Sequence, residues 1–502
     1  MLSYLGRVNY NYKNKYFLAA SLRRDGSSRF GANNKWGYFP SASAGWLISE
    51  ESFLKENKLI SNLKLKASYG LTGNNQIPNY GPIGLLGAGN GNISISSAAK
   101  EGATYVFGSN VSTGLMVISI ANPDLRWEKT AQFNAGIEVG AFKNRINLIG
   151  EYYNSTTKDL LLNLPVPDIT GFATQLTNIG KLRNKGVEVN LNTHNLVEKF
   201  TWTTDLNFSM NRNKVLQLGP GNAPVVYPAD FDVVIRNEVG KPMNNFYGYK
   251  FNGVFRSQAE LDAYPHVTNS AGVSLATPGD PRVIDANGDG VINASDIIDI
   301  GNAAPDFVGS ITNTFVYKGI EFSFMLQGSF GGKIVNQQTR YNGVWNGGRN
   351  AYEEVGNYWK SENDPGDGIH FKPTLDMNAL QNKFSTYWIS DATFVRIKNI
   401  RISYMLPSRW LSKLAVQSAR IYINVENAYL FSKYKLGYDP ENTTYNATSY
   451  SGAAAGQNIP TNAGSYNSTM ADPTKPAGAF AGVDYGSYPV PRVITFGVKL
   501  DF

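Results

Sequence analysis

Residues 285–296 read DANGDGVINASD, a spacing suited to a loop that curls around a hard cation. In the pattern D-x-[DN]-x-[DN]-G, oxygen donors recur at every second position and a glycine at the sixth permits the sharp turn. Asp285, Asn287 and Asp289 fill positions 1, 3 and 5, and Gly290 stands at position 6. The Val291 carbonyl serves position 7, Ile292 is the apolar anchor, Asn293 ligates directly or through water, and Asp296 takes position 12. Three carboxylates around one ion suit calcium better than magnesium, which keeps its waters. Aspartate at position 12 reaches less far than the usual glutamate, which loosens bidentate binding. The competing reading is an Asn/Gly-rich turn that binds nothing. No helical pattern precedes the loop and only SDIIDIG follows, so a structural calcium staple is expected rather than a helix-loop-helix sensor.

Little else in the chain points to chemistry. Cysteine is absent, which removes disulfide frameworks and Cys-based zinc or redox motifs. His194, His266 and His370 are too scattered for a ligand cluster. No HExxH, GxSxG or phosphate-cradling glycine loop occurs, and the acidic residues show no acid/base spacing, so the protein is not expected to be an enzyme. The net charge of +7 is spread without a run of like charges, which argues against nucleic acid as a partner.

The elements that must hold the loop are strands. Charged residues are 17% of the chain against an average of about 25%, and aromatics reach 13%, a mixture suited to β-structure whose rings face something other than water. In IEFSFMLQGSF, Ile320, Phe322, Phe324, Leu326 and Phe330 share one face while Glu321, Ser323, Gln327 and Ser329 share the other, with Met325 the exception. This period of two marks a strand with one apolar and one polar side. Thirteen such segments start near Leu5, Phe17, Phe39, Leu63, Ala131, Ile146, Gly180, Phe200, Val308, Ile320, Ala392, Ala419 and Val490. Short connections alternate with long polar ones at 72–128, 213–307, 332–390 and 433–488. A soluble β-sandwich shares the alternation. Four long connections tip the reading toward an antiparallel transmembrane β-barrel, because unstructured links above about 15 residues are uncommon in compact soluble domains.

No stretch approaches the roughly eighteen apolar residues of a transmembrane helix, and MLSYLGRVNYNYKN lacks the order of a signal peptide. An odd antiparallel meander leaves its first and last strands parallel, whereas single-chain bacterial barrels have even strand numbers. Open edges in lipid cost several kcal/mol per unsatisfied backbone group, so further strands are expected before Met1.

Several segments, taken in order, closely resemble the barrel of SusC/RagA-type TonB-dependent transporters of Bacteroidetes. They include RRDGSSRFG (23–31), WGYFPSASAGWLISEE (36–51), LKLKASYGLTGNN (63–75) and LRWEKT (125–130), then NKGVEV (184–189), FYGYKFNGVF (246–255), ATFVRIKNIRISYMLP (392–407), GYDPE (437–441) and YPVPRVITFGVKLDF (488–502). The resemblance implies an outer-membrane barrel importing oligosaccharide, glycan or peptide, energised through TonB and working beneath a SusD-like surface lipoprotein. Plugged transporters have roughly 22 strands, so the thirteen would be the carboxy-terminal part, with a plug and about nine strands expected earlier. By the same resemblance Phe502 looks like the terminal aromatic read during barrel assembly, with an ordinary final strand as the alternative.

Trp36, Trp46, Trp127 and Trp202, near strand ends, are expected in interfacial girdles. Tyr341, Trp345, Tyr352 and Trp359 in the long loops could stack on sugars, contact a lipoprotein, or form a core for the loops themselves. The segment 213–307, and with it the calcium loop, is expected outside the cell. A plugless porin-like barrel and a soluble calcium-stabilised sugar-binding β-protein are the rival readings.

Overall fold

Thirteen strands pair in sequence order into one antiparallel sheet: β1 (Leu2–Tyr12), β2 (Tyr16–Gly26), β3 (Trp36–Leu47), β4 (Ile60–Asn74), β5 (Glu128–Ala141), β6 (Ile146–Lys158), β7 (Lys181–Val197), β8 (Phe200–Gln217), β9 (Phe307–Tyr317), β10 (Ile320–Phe330), β11 (Phe394–Met405), β12 (Ser418–Ser432) and β13 (Val493–Asp501). The computed structural model describes the chain apart from residues 89–103, 109, 114, 173, 229–233, 268–273, 345–349, 375–379, 412–415, 435, 438, 444–481, 485, 487–489 and 502. Each strand begins within three residues of the start its alternation indicates. Phe502, Trp345 and the Tyr341 side chain lie outside what is described.

The two faces separate as the period of two requires. Leu18, Leu22, Tyr69, Phe133, Ile402, Ile421, Phe496 and Val498 are all exposed, an apolar surface that water would not tolerate. On the other face, Lys66 of β4 and Gln327 of β10 line one cleft of about 560 Å³, so the sheet curls with its polar side inward. Strands such as β1, with 11 residues at about 3.3 Å each and tilted about 45°, rise about 25 Å, the height of an outer-membrane apolar band. Among the described residues no helix is long and apolar enough to cross a membrane.

The short connections all lie at one end and are tight where they are shortest. Lys318 (φ 49°) and Gly319 (φ 84°) join β9 to β10, the two left-handed residues that match a hairpin turn to the strands' right-handed twist. Aromatic rings mark both ends of the apolar face. Trp46 stacks on Tyr16, and Trp202 stacks 5.7 Å from Phe315, near the short turns. Trp36 lies 4.2 Å from the Arg24 guanidinium at the long-loop end.

Trp127 is not a girdle residue, contrary to its position at a strand start. It is only 2% exposed and packs with Phe30, Phe39, Ile77 and Leu125 beneath the first loops. Its indole N–H donates to the Lys35 carbonyl, 3.1 Å away, so the ring is turned under the 27–35 connection instead of toward lipid.

The long connections fold rather than trail. Val225–Pro228, Val234–Asn237, Asn245–Gly248 and Ile298–Asn302 form a four-stranded sheet, and Lys333–Asn336, Ile389–Asp391 and Val483–Asp484 a three-stranded one. Val225, Ile235, Phe246, Val335, Phe384, Trp388 and Val483, drawn from three different connections, share one core with Val215 at the top of β8.

Candidate functional site

The segments that resemble a known family meet in space. Phe30 of RRDGSSRFG, Phe39 of WGYFPSASAGW and Trp127 of LRWEKT form one aromatic cluster, with ring centroids 5.1 Å and 5.4 Å from the indole. Gly37 and Gly73 make room for it, since a Cβ at either would overlap the Phe39 ring. These motifs therefore fix how β2, β3, β4 and β5 enter the loop layer.

A second junction joins ATFVRIKNIRISYMLP to GYDPE. Arg396, near the loop end of β11, donates through one Nη to both carboxylate oxygens of Asp439, at 2.6 Å and 2.7 Å, and both side chains are 3% exposed. Its Nε lies 3.0 Å from Glu441, close enough for an ion pair but off the N–H direction of a hydrogen bond. Lys398, two residues along the strand, donates to both Glu441 oxygens. Nearby, the Tyr434 hydroxyl donates to Asp484 at 2.6 Å, and burial, followed by that carboxylate, raises its pKa far above the usual tyrosine value.

Below the loops, the concave wall is dominated by amides and hydroxyls that pair across strands. The Asn190 amide donates to Asn207, Asn134 to Ser68 and Asn399 to Asn424, and Ser21 pairs with Ser41. One charged row crosses three strands. Lys66 of β4 stands level with Gly136 of β5 and Glu151 of β6. Gly136 has no side chain, so Lys66 passes over it to Glu151 while also reaching Glu138 at 3.1 Å. A Cβ there would stand 2.7 Å from the Lys66 Cε. Lys66 and Glu151 separate the 560 Å³ cleft from a second of about 610 Å³. Sequence reading missed this row, although Lys64 and Lys66 in LKLKAS alternate on the same face as Glu138 and Glu151.

The 285–296 loop lies between the strands Pro281–Val283 and Ile298–Asn302. Asp285 accepts the Gly288 and Gly290 amides at 2.7 Å and 2.8 Å, both glycines having positive φ. Asp289 accepts the Val291 amide at 2.9 Å and the Asn287 side chain at 2.9 Å, contacts that hold its carboxyl below the usual aspartate range, the Val291 amide being the largest cause. Asn293 caps a short 3-10 turn by accepting the Ser295 amide, and its own side-chain N–H reaches the Val291 carbonyl at 3.4 Å. Asp296 is fully buried, with one oxygen accepting the Ala286 amide and the other the Asn293 amide. Ile292 is buried as an anchor, and its amide donates to the His266 carbonyl. Asp285, Asn287 and Asp289 thus share the exposed side of the loop, whereas Asp296 is turned into its backbone. Among the described residues no three acidic or histidine side chains converge as a ready-made metal cluster.

Of the loop aromatics, Trp359 lies flat against Gly279 and donates to the Arg256 carbonyl, and the Tyr352 hydroxyl donates to the Leu436 carbonyl. Both serve the loop layer's own packing. His370 is paired with Asp367, 2.6 Å away, and the His266 ring lies 2.7 Å from the Tyr264 carbonyl.

An antiparallel sheet that is polar within its curve, apolar outside and ringed by aromatics is the wall of an outer-membrane β-barrel. Residues 3–428 match the family model for the TonB dependent receptor-like β-barrel, and the chain belongs to that family of outer-membrane proteins. TonB-dependent receptor P3 of Formosa agariphila is 32% identical over all of this chain and 45% of its own length. The TonB-dependent receptor SusC of Bacteroides thetaiotaomicron is 31% identical over 88% of this chain and 41% of its own. The RagAB peptide transporter superposes with a TM-score of 0.76 at 24% identity, covering all of this chain and 47% of that one, which shows the same fold. The chain spans less than half the length of these relatives. A soluble sugar-binding β-protein is thereby set aside, and the SusC/RagA-type resemblance is borne out.

Proposed function

We propose that this chain forms part of the barrel wall of a TonB-energised importer whose long-loop end faces outside the cell. The ligand is an oligosaccharide, glycan or peptide, delivered beneath a SusD-like surface lipoprotein. The observation that carries this reading is the pairing of a hydrogen-bonding concave wall, crossed by the Lys66–Glu151 row, with a folded loop layer above it. Such a wall offers donors and acceptors to a polar ligand, and the names of SusC and RagAB relatives point the same way. Uptake of labelled oligosaccharide and peptide mixtures by cells expressing the full-length receptor tests it. Import should require TonB; equal uptake without TonB would favour a plugless, porin-like pore.

Within the loop layer we propose a calcium site held by Asp285, Asn287, Asp289, the Val291 carbonyl and Asn293, with Asp296 bracing the loop through its backbone amides. The donor set fits a hard cation, because the two Asp285 oxygens accept one amide N–H each, from Gly288 and Gly290, and keep a lone pair for an ion. Calcium there would order the 218–306 connection and leave the barrel unchanged. Asp285→Ala with Asp289→Ala should abolish calcium-dependent protection of this connection from proteolysis, and unchanged protection would defeat the assignment.

A further inference from the structure

We propose that the short-turn end of the barrel is a collar for anionic phospholipid, each turn presenting an exposed aromatic ring beside a basic side chain. Tyr12 precedes Lys13, Phe142 precedes Lys143, and Tyr317 precedes Lys318 in three of the turns. The remaining connections repeat the arrangement with Lys199 before Phe200, Arg409 before Trp410, and Phe53 two residues from Lys55. These six rings are between 40% and 72% exposed, at positions where a solvated turn needs no aromatic. An amphipathic ring is stable at headgroup depth, and a neighbouring cation at that depth meets lipid phosphate.

The geometry ties ring and charge together. The Lys13 ammonium lies 5.2 Å from the Tyr12 ring centroid, and Lys318 stands at the same distance from Tyr317. Each ammonium is thus held at the level of its ring, where it can meet a phosphate. Directly beside Lys318, the apolar face opens into a groove of about 830 Å³ lined by Ile320, Ile402, Tyr404, Ile421, Ile423 and Phe496, a bed for an acyl chain. Acidic residues offset the charge in part only: Glu50, Glu51, Glu56 and Glu198 are confined to two of the six connections, where Glu50 lies 3.9 Å from Lys55. Glu51 is also engaged by Lys15, Tyr16 and Trp46. Cation, ring and groove together fit one occupant, a phosphate-bearing lipid of negative net charge in the leaflet at this end. An acidic soluble protein would match the charges but not the acyl groove. This assignment is independent of what the barrel imports.

Native mass spectrometry of the full-length receptor, titrated with phosphatidylglycerol or phosphatidylcholine, tests it. Phosphatidylglycerol should be retained preferentially. Lys143→Gln with Lys318→Gln should weaken its retention about 25-fold, about fivefold for each charge near the surface. The corresponding pair of Lys→Arg changes should preserve it, and heat-modifiable migration on gels should show all variants folded. Equal retention of the two lipids by the unmodified receptor, an undiminished signal in the glutamine variant, or full displacement by millimolar inorganic phosphate would overturn the proposal. The first comparison requires no variant and so does not depend on a mutant folding.

Discussion

Replacing Asp439 with Asn tests whether the Arg396–Asp439 junction clamps the loop layer to β11. Asparagine keeps the shape and removes the charge, leaving a guanidinium that is 3% exposed without its main partner. Removing one member of a buried pair costs about 3–5 kcal/mol. Glu441, 27% exposed and 3.0 Å from Arg396 Nε, remains and offsets part of that loss, which places the effect near 3 kcal/mol. The barrel strands keep their ladder, so the penalty should appear as local opening rather than global unfolding. Hydrogen exchange on the full-length receptor in detergent should then accelerate about 100-fold around 439–443, because each 1.4 kcal/mol is a factor of ten, while β5–β8 stay unchanged. Arg396→Met with Asp439→Leu should recover much of the protection, since apolar replacements remove both desolvation penalties. Exchange in Asp439→Asn within twofold of the parent protein would refute the clamp, as would a double variant that opens more than either single one.

Gly73→Ala should destabilise the receptor by about 1–3 kcal/mol through overpacking against Phe39, lowering the temperature at which its gel migration shifts. Gly136→Val should displace Lys66 from the row it shares with Glu151 while leaving the barrel folded, and a single-channel recording of the reconstituted receptor reads the altered charge along the wall. The Glu51 carboxyl is held at about 2 by the Tyr16 hydroxyl, then by Lys15 and Trp46, so its contribution is present above the unfolded value of 4.5 and is lost as pH falls through about 2. Trp46 fluorescence should therefore stay constant from pH 7 to about 4 and change below about 3, and Glu51→Gln should remove that acid transition.

The barrel was legible because its physics is local. A strand between lipid and a wet lumen must alternate, and that alternation is written in consecutive residues, as in Ile320, Phe322 and Phe324 against Ser323 and Gln327. Tight turns were equally visible in KNK, KNR and KG. The loop layer was not, because its strands are only two to five residues long and find partners far away; Val335 pairs with Val483. Trp127 shows the same limit: a tryptophan at a strand end looks alike in sequence whether it turns to lipid or under a loop. Arg396 and Asp439 stood in separate recognised motifs, 43 residues apart, and only the fold reveals that each motif is the other's counter-charge. Residues 285–296 were recognisable by donor spacing, yet spacing could not show that Asp296 spends both oxygens on backbone amides.

The common core of the loop layer limits how this receptor can be re-engineered or can diverge. Ile235, Val335 and Val483 come from separate connections but touch the same interior, so none can be exchanged alone without opening a void in the others. A graft of the 218–306 connection from a relative would arrive without the faces it was shaped against. The transplantable unit is the set of three connections following β8, β10 and β12, moved together with the strand-end residues they are fitted to, Val215 of β8 and Arg396 of β11.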